Sequence, residues 1–309
     1  MEMAIATSLV GGLPWLAQTV TGEESTILAD ISLWQAVVIG VVQGLTEFLP
    51  ISSTAHIKVV PISLGWGDPG VGFTAVIQLG SIAAILWYFW ADLSQVVRGS
   101  IQALRDRQYD APDLRMALGI ALGTVPLVVG GLAVKLLIPE FYDTVLRSTT
   151  TIAITSIVLS LLLGFAEVVG KRKRTFADLN FVSDGLTMGL GQMFAIIPGV
   201  SRSGATLTAG LFMGLERATA ARFSFLMGIP AIILPGLAEI PDVLDPSFSN
   251  VGTVPLIAGL IAALVSSYLA IVWLLGFLKQ HSTWVFVWYR LAFGMALLLG
   301  VAAGKVPNF

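Results

Sequence analysis

The sequence contains no cysteine, which excludes disulfide bonds, thiolate nucleophiles and metal sites built from thiolates. It has only two histidines, His56 and His281, too few for a multi-histidine metal centre. Any metal ion that this protein binds must therefore be held by oxygen atoms.

Charged residues are also scarce. They make up 12% of the 309 residues, whereas soluble domains have about one quarter. The net charge of −2 offers no basic surface for a nucleic-acid partner, so none is expected. With 56% hydrophobic residues and a mean hydropathy of +0.87, the chain is predicted to be an integral membrane protein.

The hydrophobic residues form long runs, each able to cross or deeply enter about 30 Å of hydrocarbon. These runs are 32–49, 71–90, 114–137, 148–169, 181–197, 219–239, 253–278 and 284–304. Since the connectors are short, one membrane domain is predicted over residues 31–309. Residues 1–30 are an N-terminal extension, either a cleaved signal that lacks the usual positive start or an appended surface segment.

The positions of Lys and Arg predict the topology, because cytoplasmic loops are enriched in both. The connector 91–115 carries four arginines and the one after residue 169 carries four consecutive basic residues, so both are assigned to the inside. The acidic connector with Asp242 and Asp245 then lies outside only if run 181–197 dips into the membrane and returns. Run 71–90 must end at the inner connector 91–115. The first polar stretch, in and after run 32–49, therefore enters the membrane from the outer face, opposite to the second.

Two polar stretches share a local pattern that indicates an internal repeat. Gln43 lies nine residues before Ser52, Gln192 lies nine residues before Ser201, and a proline precedes each serine. Repeats of opposite orientation place their functional site near the midplane, where broken helices meet. Chance similarity between apolar segments is the alternative.

The first polar stretch, residues 43–56, begins with two side chains that a helix would present on one face. Gln43 and Glu47 have the required spacing of four residues. A polar pair that holds helices together is the structural alternative for Gln43. For Glu47 that alternative is weaker, because an ionised carboxylate in a membrane is too costly for packing alone.

The same stretch continues with Ser52-Ser53-Thr54, whose hydroxyl groups lie within one helical turn of His56. This is the combination that a hydroxyl nucleophile and its base require. Serines that cap a helix have the same pattern, so the hydroxyls alone are weak evidence. His56 is stronger evidence, because a titratable side chain at membrane depth is by default a candidate for function.

The second polar stretch, residues 198–206, has the features of an anion-binding loop. Its glycines let the backbone approach a ligand, and the following helix N-terminus offers free N–H groups. Arg202 adds a planar fork suited to two phosphate oxygens. Snorkelling to the membrane interface is the alternative for Arg217 and Arg222, but it suits Arg202 poorly.

Taken together, the two stretches combine a carboxylate with groups that bind anions. A carboxylate repels a nearby phosphate unless a divalent cation lies between them or the carboxyl group works as an acid or base. The residues therefore predict a phosphorylated ligand in a membrane-embedded pocket, and a lipid phosphate in particular.

At these residues the sequence resembles the bacterial undecaprenyl-diphosphate phosphatase family, also called the bacitracin-resistance family. Residues 43–56 match its first motif, which has an acidic residue or Gln, three residues, Glu, then Phe-Leu-Pro, Ser-Ser-Thr and His. Residues 198–206 match Pro-Gly-x-Ser-Arg-Ser-Gly-Ala-Thr. Residues 78–81 and 223–226 are also similar, so the resemblance spans about residues 32–304 and gives residues 1–30 no counterpart.

The resemblance implies hydrolysis of undecaprenyl diphosphate to undecaprenyl phosphate and inorganic phosphate, which recycles the carrier lipid for peptidoglycan synthesis and confers bacitracin resistance. It implies dependence on Mg²⁺ or Ca²⁺, contact with membrane lipid, a homodimer, and a multi-pass location in the plasma (inner) membrane with the active site facing the periplasmic side. The implied fold is all-α and polytopic, with six crossing helices and two re-entrant helical hairpins in an inverted-topology repeat.

The resemblance also assigns roles to individual residues. Glu47 and Gln43 form the metal side, and Ser53 or His56 is the nucleophile or its activator. As a mechanism, either Ser53 or a water assisted by His56 attacks the phosphorus. Arg202 clamps the diphosphate, and the substrate-binding set around it is Ser52, Thr54, Ser201, Ser203, Gly204 and Thr206. Because Gln43 stands where many members have Glu, the acid or base role shifts to Glu47 and His56.

Another class of function fits part of the pattern. A polyprenyl-phosphate lipid transporter or flippase is the rival, because inverted repeats with broken helices are also a transporter architecture. Such a protein needs Arg202 for binding but has no evident need for Ser53 and His56 beside Glu47. A structural membrane scaffold is weaker, since it leaves the buried charges unexplained.

Overall fold

The computed structural model describes residues 31–238 and 252–308, and this part of the chain is built from helices without a β-sheet. Residues 1–30 and the connector with Asp242 and Asp245 lie outside the described residues. The longer helices are α1 (Leu33–Phe48), α2 (Ser53–Ser63), α3 (Val71–Tyr88), α4 (Trp90–Arg105), α5 (Pro112–Leu137), α6 (Thr149–Val169), α7 (Phe181–Met193), α8 (Arg202–Phe212), α9 (Arg217–Ala238), α10 (Thr253–Phe277) and α11 (Trp284–Ala302).

Five helices among the described residues are long and apolar enough to cross a bilayer. They are Pro112–Leu137, Thr149–Val169, Arg217–Gly236, Thr253–Phe277 and Trp284–Ala302. A sixth span results if α3 and α4, which are bent by 68° relative to each other, are taken together. The all-α polytopic prediction is thus confirmed, whereas the re-entrant hairpins and the inverted orientation of the repeat stay predictions.

Most of the predicted connector 91–115 is itself a helix, α4. Its polar residues had indicated a loop, but apolar side chains recur between them, with Val96 and Ala103 buried. Helix α4 therefore has an amphipathic pattern, and it packs against α5. Arg222 of α9 also holds α4 by an ion pair with Asp92 (2.7 Å). Arg222 is thus paired rather than free to snorkel.

The two polar stretches have the same local plan. In each, an apolar helix ends, an irregular segment follows, and a helix of 11 residues begins, α2 in the first and α8 in the second. Eleven residues span only about 17 Å, which is too short to cross a bilayer. The residues just before these helices, Ser52 and Ser201, have φ angles of 77° and 70°. This left-handed backbone costs a non-glycine residue about 1–2 kcal/mol.

Glycine pairs bring the first helix of each polar stretch close to a long spanning helix. A Cβ on Gly40 of α1 would lie 2.2 Å from the carbonyl oxygen of Gly259 in α10, and one on Gly189 of α7 would lie 2.3 Å from that of Gly123 in α5. Small residues permit such close helix packing in membranes. The two stretches are thus seated against α10 and α5 in the same manner.

Helix α9 lies against both polar stretches. Phe48, at the end of α1, packs edge-to-face on Phe225 of α9, with ring centroids 5.5 Å apart. Thr206 of α8 contacts the same helix through a 2.5 Å hydrogen bond between its hydroxyl and that of Ser224. The end of α1, within the first stretch, and the helix of the second stretch therefore both pack on α9.

Candidate active site

The carboxylate of Glu47 and the guanidinium of Arg202 join the two polar stretches. Arg202 Nη2 donates to Glu47 Oε1 at 3.2 Å, and the two side chains are only 11% and 8% exposed. Glu47 comes from the last turn of α1, and Arg202 is the first residue of α8. The structure thus brings together the acidic and the basic residue that the sequence had singled out in separate stretches.

Ser53 completes the surroundings of the Glu47 carboxylate. Its hydroxyl donates to Glu47 Oε2 at 2.7 Å, across the break between α1 and α2. Arg202 and Ser53 therefore occupy different oxygens of the same carboxylate. A hydroxyl that donates to a buried carboxylate has an acceptor for its proton, which is the arrangement of an activated nucleophile.

Gln43 lies one turn before Glu47 and is fully buried. Its amide nitrogen is 3.4 Å from Glu47 Oε2 and 3.5 Å from both Gln78 Oε1 and Ser81 Oγ of α3. Its Oε1 has no hydrogen-bond partner in the described part of the chain. A buried acceptor without a partner is costly, so this oxygen is available for a ligand.

Arg202 lies across a glycine of α9. A Cβ on Gly228 would be 1.6 Å from Arg202 Nη1, so only glycine leaves room for the guanidinium in this position. Nη1 is buried and has no acceptor among the described residues. One arm of the guanidinium therefore holds Glu47, while the other is free to bind an anion.

The other predicted residues of the second stretch build the start of α8. Ser201 caps this helix, with its hydroxyl accepting from the Gly204 N–H at 3.2 Å. Ser203 Oγ is 3.2 Å from Ser201 Oγ and donates to the carbonyl of Leu49 at 3.1 Å. Thr206 points toward α9 and donates to the carbonyl of Arg202 at 2.8 Å. Ser203 thus adds a second link between the stretches.

His56 is buried and both of its ring nitrogens have partners. Nδ1 lies 2.7 Å from the carbonyl oxygen of Ser52, and Nε2 lies 2.6 Å from the hydroxyl of Tyr289. The ring also stacks on Phe293, with centroids 4.4 Å apart. The hydrogen bond of Ser53 thus goes to Glu47, while His56 is bonded to Ser52 and Tyr289.

Arg290 is a residue of this site that the sequence analysis missed. It is fully buried in the first half of α11, where it donates to the carbonyl of Pro50 (3.0 Å) and to those of Gly199 (2.8 Å) and Val200 (3.2 Å). It therefore ties together the two strained segments that precede α2 and α8. A lone arginine inside the apolar run 284–304 was the available signal, because such a charge is expensive in a membrane.

The sequence of the whole chain was compared with those of known proteins. The family model described as "Bacitracin resistance protein BacA" matches residues 3–296. The chain belongs to this family. Since the match begins at residue 3, it extends into the N-terminal segment for which the resemblance had given no counterpart.

Several relatives are similar to this chain over most of its length. An undecaprenyl-diphosphatase from Trichormus variabilis is 59% identical over 279 residues, which cover 90% of this chain and 87% of that protein. One from Synechocystis is 58% identical over 275 residues, covering 89% and 84%. One from Synechococcus elongatus is 55% identical over 278 residues, covering 90% and 96%.

The divalent cation that the BacA resemblance implies needs oxygen ligands around Glu47. The described residues contain no group of three or more His, Cys, Asp or Glu side chains placed to hold a metal ion. One carboxylate, Glu47, and the unpartnered Oε1 of Gln43 are nevertheless of the right chemistry. This small set fits Mg²⁺ or Ca²⁺ when water and substrate phosphate supply the other ligands.

Two further predicted binding residues, Ser52 and Thr54, lie at the beginning of α2. Ser52 is buried, and its carbonyl accepts from the His56 ring. Thr54 is exposed at the beginning of α2. The role of both residues in substrate binding stays a prediction.

Arg217 is held in an ion pair, whereas the alternative interpretation for it was a side chain that snorkels to the membrane interface. It forms a bidentate ion pair with Glu167, a buried residue of α6 that also accepts from the hydroxyl of Thr283 at 2.8 Å. This cluster joins α6, α9 and the start of α11. Glu167 is thus fully engaged by structural partners, unlike Glu47, whose neighbours Gln43 and Arg202 each keep an unpartnered atom.

Proposed function

We infer that this protein hydrolyses undecaprenyl diphosphate to undecaprenyl phosphate and inorganic phosphate. Membership of the BacA family supports this function, as do relatives named undecaprenyl-diphosphatase that are 53–59% identical over about 90% of the chain. The reaction returns the carrier lipid to cell-wall synthesis, and bacitracin resistance follows from the same activity. The observation that carries the inference is the contact of Ser53 and Arg202 with opposite oxygens of Glu47.

Arg202 and the beginning of α8 hold the diphosphate. The free Nη1 of Arg202 is buried, so its electrostatic attraction for a phosphate oxygen is little screened by solvent. The N-terminus of α8 adds the backbone N–H groups of its first turn and the positive end of the helix dipole. Together they stabilise the charge that develops on the terminal phosphoryl group during transfer.

Ser53 is the nucleophile of the first step. Its Oγ attacks the terminal phosphorus while its proton passes to Glu47 Oε2, which accepts the hydroxyl at 2.7 Å. The bond between that phosphorus and the bridging oxygen breaks, and undecaprenyl phosphate leaves with the bridging oxygen. The phosphoryl group stays on Ser53 as a phosphoserine.

His56 acts in the second step, in which water releases the phosphoryl group. The oxygen of the water attacks the phosphorus, the bond to Ser53 Oγ breaks, and inorganic phosphate is formed. His56, whose Nε2 is bonded to the hydroxyl of Tyr289, takes up the proton that the water loses, and Glu47 returns its proton to Ser53. Position supports this role, because His56 lies three residues after Ser53 on α2, on the same side of the helix.

Glu47 and Gln43 would hold the divalent cation, together with phosphate oxygens of the substrate. When bound, a cation of this kind neutralises phosphate charge and so lowers the repulsion between the diphosphate and the carboxylate. The unpartnered Oε1 of Gln43 supports its part in this site.

The protein is proposed to lie in the plasma (inner) membrane as a homodimer, with the site open to the periplasmic side. The two polar stretches would enter from opposite faces as re-entrant hairpins and meet at Glu47 and Arg202. Their common plan of an interrupted helix followed by an 11-residue helix supports this arrangement.

A lipid transporter is the less favoured alternative. A carrier of polyprenyl phosphate would use the anion-binding side of Arg202, but it would gain nothing from a hydroxyl bonded to Glu47. The discriminating experiment uses the purified chain in lipid nanodiscs, where there is no second compartment and transport is impossible. Release of inorganic phosphate from undecaprenyl diphosphate in nanodiscs supports the phosphatase. The transporter would be established if the folded protein released no phosphate but moved the lipid across vesicle membranes.

A further inference from the structure

The imidazole of His56 is fixed by contacts on both nitrogens and on its faces. Nδ1 is 2.7 Å from the Ser52 carbonyl oxygen. Because a carbonyl can only accept, Nδ1 carries a hydrogen atom. In the neutral ring Nε2 then has the lone pair, and it accepts from the hydroxyl of Tyr289 at 2.6 Å. The tautomer of His56 is thus set by Ser52 and Tyr289 together.

Aromatic stacking holds the same geometry. The ring of His56 is nearly parallel to those of Tyr289 and Phe293, with interplanar angles of 15° and 12°. Tyr289 and Phe293 are themselves parallel to within 9°. Tyr289 therefore contributes two separable things, a ring that packs and a hydroxyl that bonds to Nε2.

Tyr289 also differs from His56 in its access to the surroundings. His56 is 4% exposed, whereas Tyr289 is 44% exposed. On either side of His56 in the sequence, Ala55 and Val59 of α2 belong to a buried cluster with Ile152 and Ala153 of α6. The charged group that faces His56 from α11 is Arg290, and its donors are engaged by backbone carbonyls.

We propose that Tyr289 is a positioning residue that acts through His56. Its hydroxyl keeps Nε2 as the proton acceptor and passes the proton of the second step from the buried imidazole to the outside. In this relay, the attacking water gives its proton to the Tyr289 oxygen as the hydroxyl gives its own proton to Nε2. The reverse transfer then releases a proton from Tyr289 to the outside, so that both groups return to their starting states. The proposal deepens the proposed phosphatase function and rests on the role of His56 in it.

The variant Tyr289→Phe tests the hydroxyl while it keeps the stacked ring. We expect kcat for phosphate release to fall about 100-fold, which is the lower end of the range for assisted proton transfer. KM should change less than 2-fold, and the pH–rate profile should be displaced because Nε2 has lost its partner. Tyr268→Phe is the matched control, since Tyr268 packs on Trp87 and Tyr88, away from His56.

A second measurement does not depend on activity. The chain has two histidines, so the variant His281→Gln, labelled with ¹⁵N-histidine, gives ring signals from His56 alone. Adding Tyr289→Phe should shift the Nε2 resonance or mix the two tautomers, while Tyr268→Phe should leave the spectrum unchanged. An unchanged His56 spectrum would overturn the proposal, as would a loss of kcat with no change in the pH–rate profile.

These two measurements separate this proposal from the proposed function. If the wild-type protein released no phosphate, the phosphatase function would fail while the His56 spectrum still reported the bond to Tyr289. If the wild-type protein released phosphate and Tyr289→Phe matched it in kcat and pH–rate profile, the phosphatase would stand and the role of Tyr289 would be rejected.

Discussion

Arg202 and Glu47 are 155 residues apart in the sequence, yet their side chains form an ion pair of 3.2 Å. A buried pair of this kind adds little net stability, because both charges lose their hydration. The ion pair instead fixes the positions of both side chains, because each partner holds the other where a phosphate must be bound and attacked. The two polar stretches become one site through this contact.

Gly228 should be essential for the position of Arg202. In Gly228→Ala the new Cβ would lie 1.6 Å from Nη1, so the guanidinium must move. We expect kcat/KM for phosphate release to fall about 100-fold, the scale of effect expected from a misplacement of about 1 Å.

Gly276→Ala is the control for Gly228→Ala, because a Cβ on Gly276 of α10 would meet no atom within 4 Å. It should keep full activity and stabilise its helix by about 0.5–1 kcal/mol. Equal activities of the two variants in the phosphate assay would contradict the assigned position of Arg202.

Ser53→Ala should remove the nucleophile but leave the fold intact. We expect kcat to fall about 10³-fold or more, with thermal unfolding close to that of the wild type. Ser63→Ala, at the exposed end of the same helix, is the control and should be fully active. Mass spectrometry of quenched wild-type reactions should find phosphate on the peptide that contains Ser53. A Ser53→Ala enzyme with wild-type kcat would show that water attacks directly.

Arg290→Lys should lower both stability and activity. A lysine cannot reproduce the fork that bonds the carbonyls of Pro50, Gly199 and Val200, and each buried carbonyl left without a donor costs about 1–3 kcal/mol. The measurements are thermal unfolding and phosphate release. Arg147→Lys is the control, because its partly exposed ion pair with Asp143 contributes only about 0–1 kcal/mol. Equal melting temperatures for both variants would contradict the role of Arg290 in stabilising the segments that precede α2 and α8.

Gln43→Glu should strengthen the response to divalent cations. A carboxylate is a better ligand for Mg²⁺ or Ca²⁺ than an amide, and two carboxylates four residues apart repel each other until a cation binds. Starting from protein stripped with EDTA, the variant should reach half-maximal phosphate release at a lower cation concentration than the wild type. A half-maximal concentration equal to or above that of the wild type would count against a cation site at residues 43 and 47.

The sequence was sufficient to predict the spanning helices closely. The apolar run 253–278 corresponds to the helix Thr253–Phe277, and the run 284–304 corresponds to Trp284–Ala302. Such runs are reliable because a bilayer requires a continuous apolar length. Helix α4, by contrast, was predicted to be a connector, because arginines are interleaved with the apolar residues that form one face of this helix.

The partners within the site were less predictable. Glu47, Arg202 and His56 stood out because charge and imidazole are expensive at membrane depth. The same reasoning applies to Arg290, but averaging over an apolar run conceals a single polar residue. The partner of Ser53 could not be read from spacing, because His56 is turned toward Ser52 and Tyr289 by contacts with a helix 233 residues further along the chain.

The most direct test of the account is the rate of phosphate release from undecaprenyl diphosphate by Glu47→Gln, measured beside the wild-type protein in nanodiscs. Gln keeps the size of the side chain and a hydrogen-bonding oxygen but cannot take the proton of Ser53. We predict a loss of kcat of about 10²-fold to 10⁴-fold with the fold retained. Release at the wild-type rate by the folded variant would contradict the assignment of Glu47 as the centre of the active site.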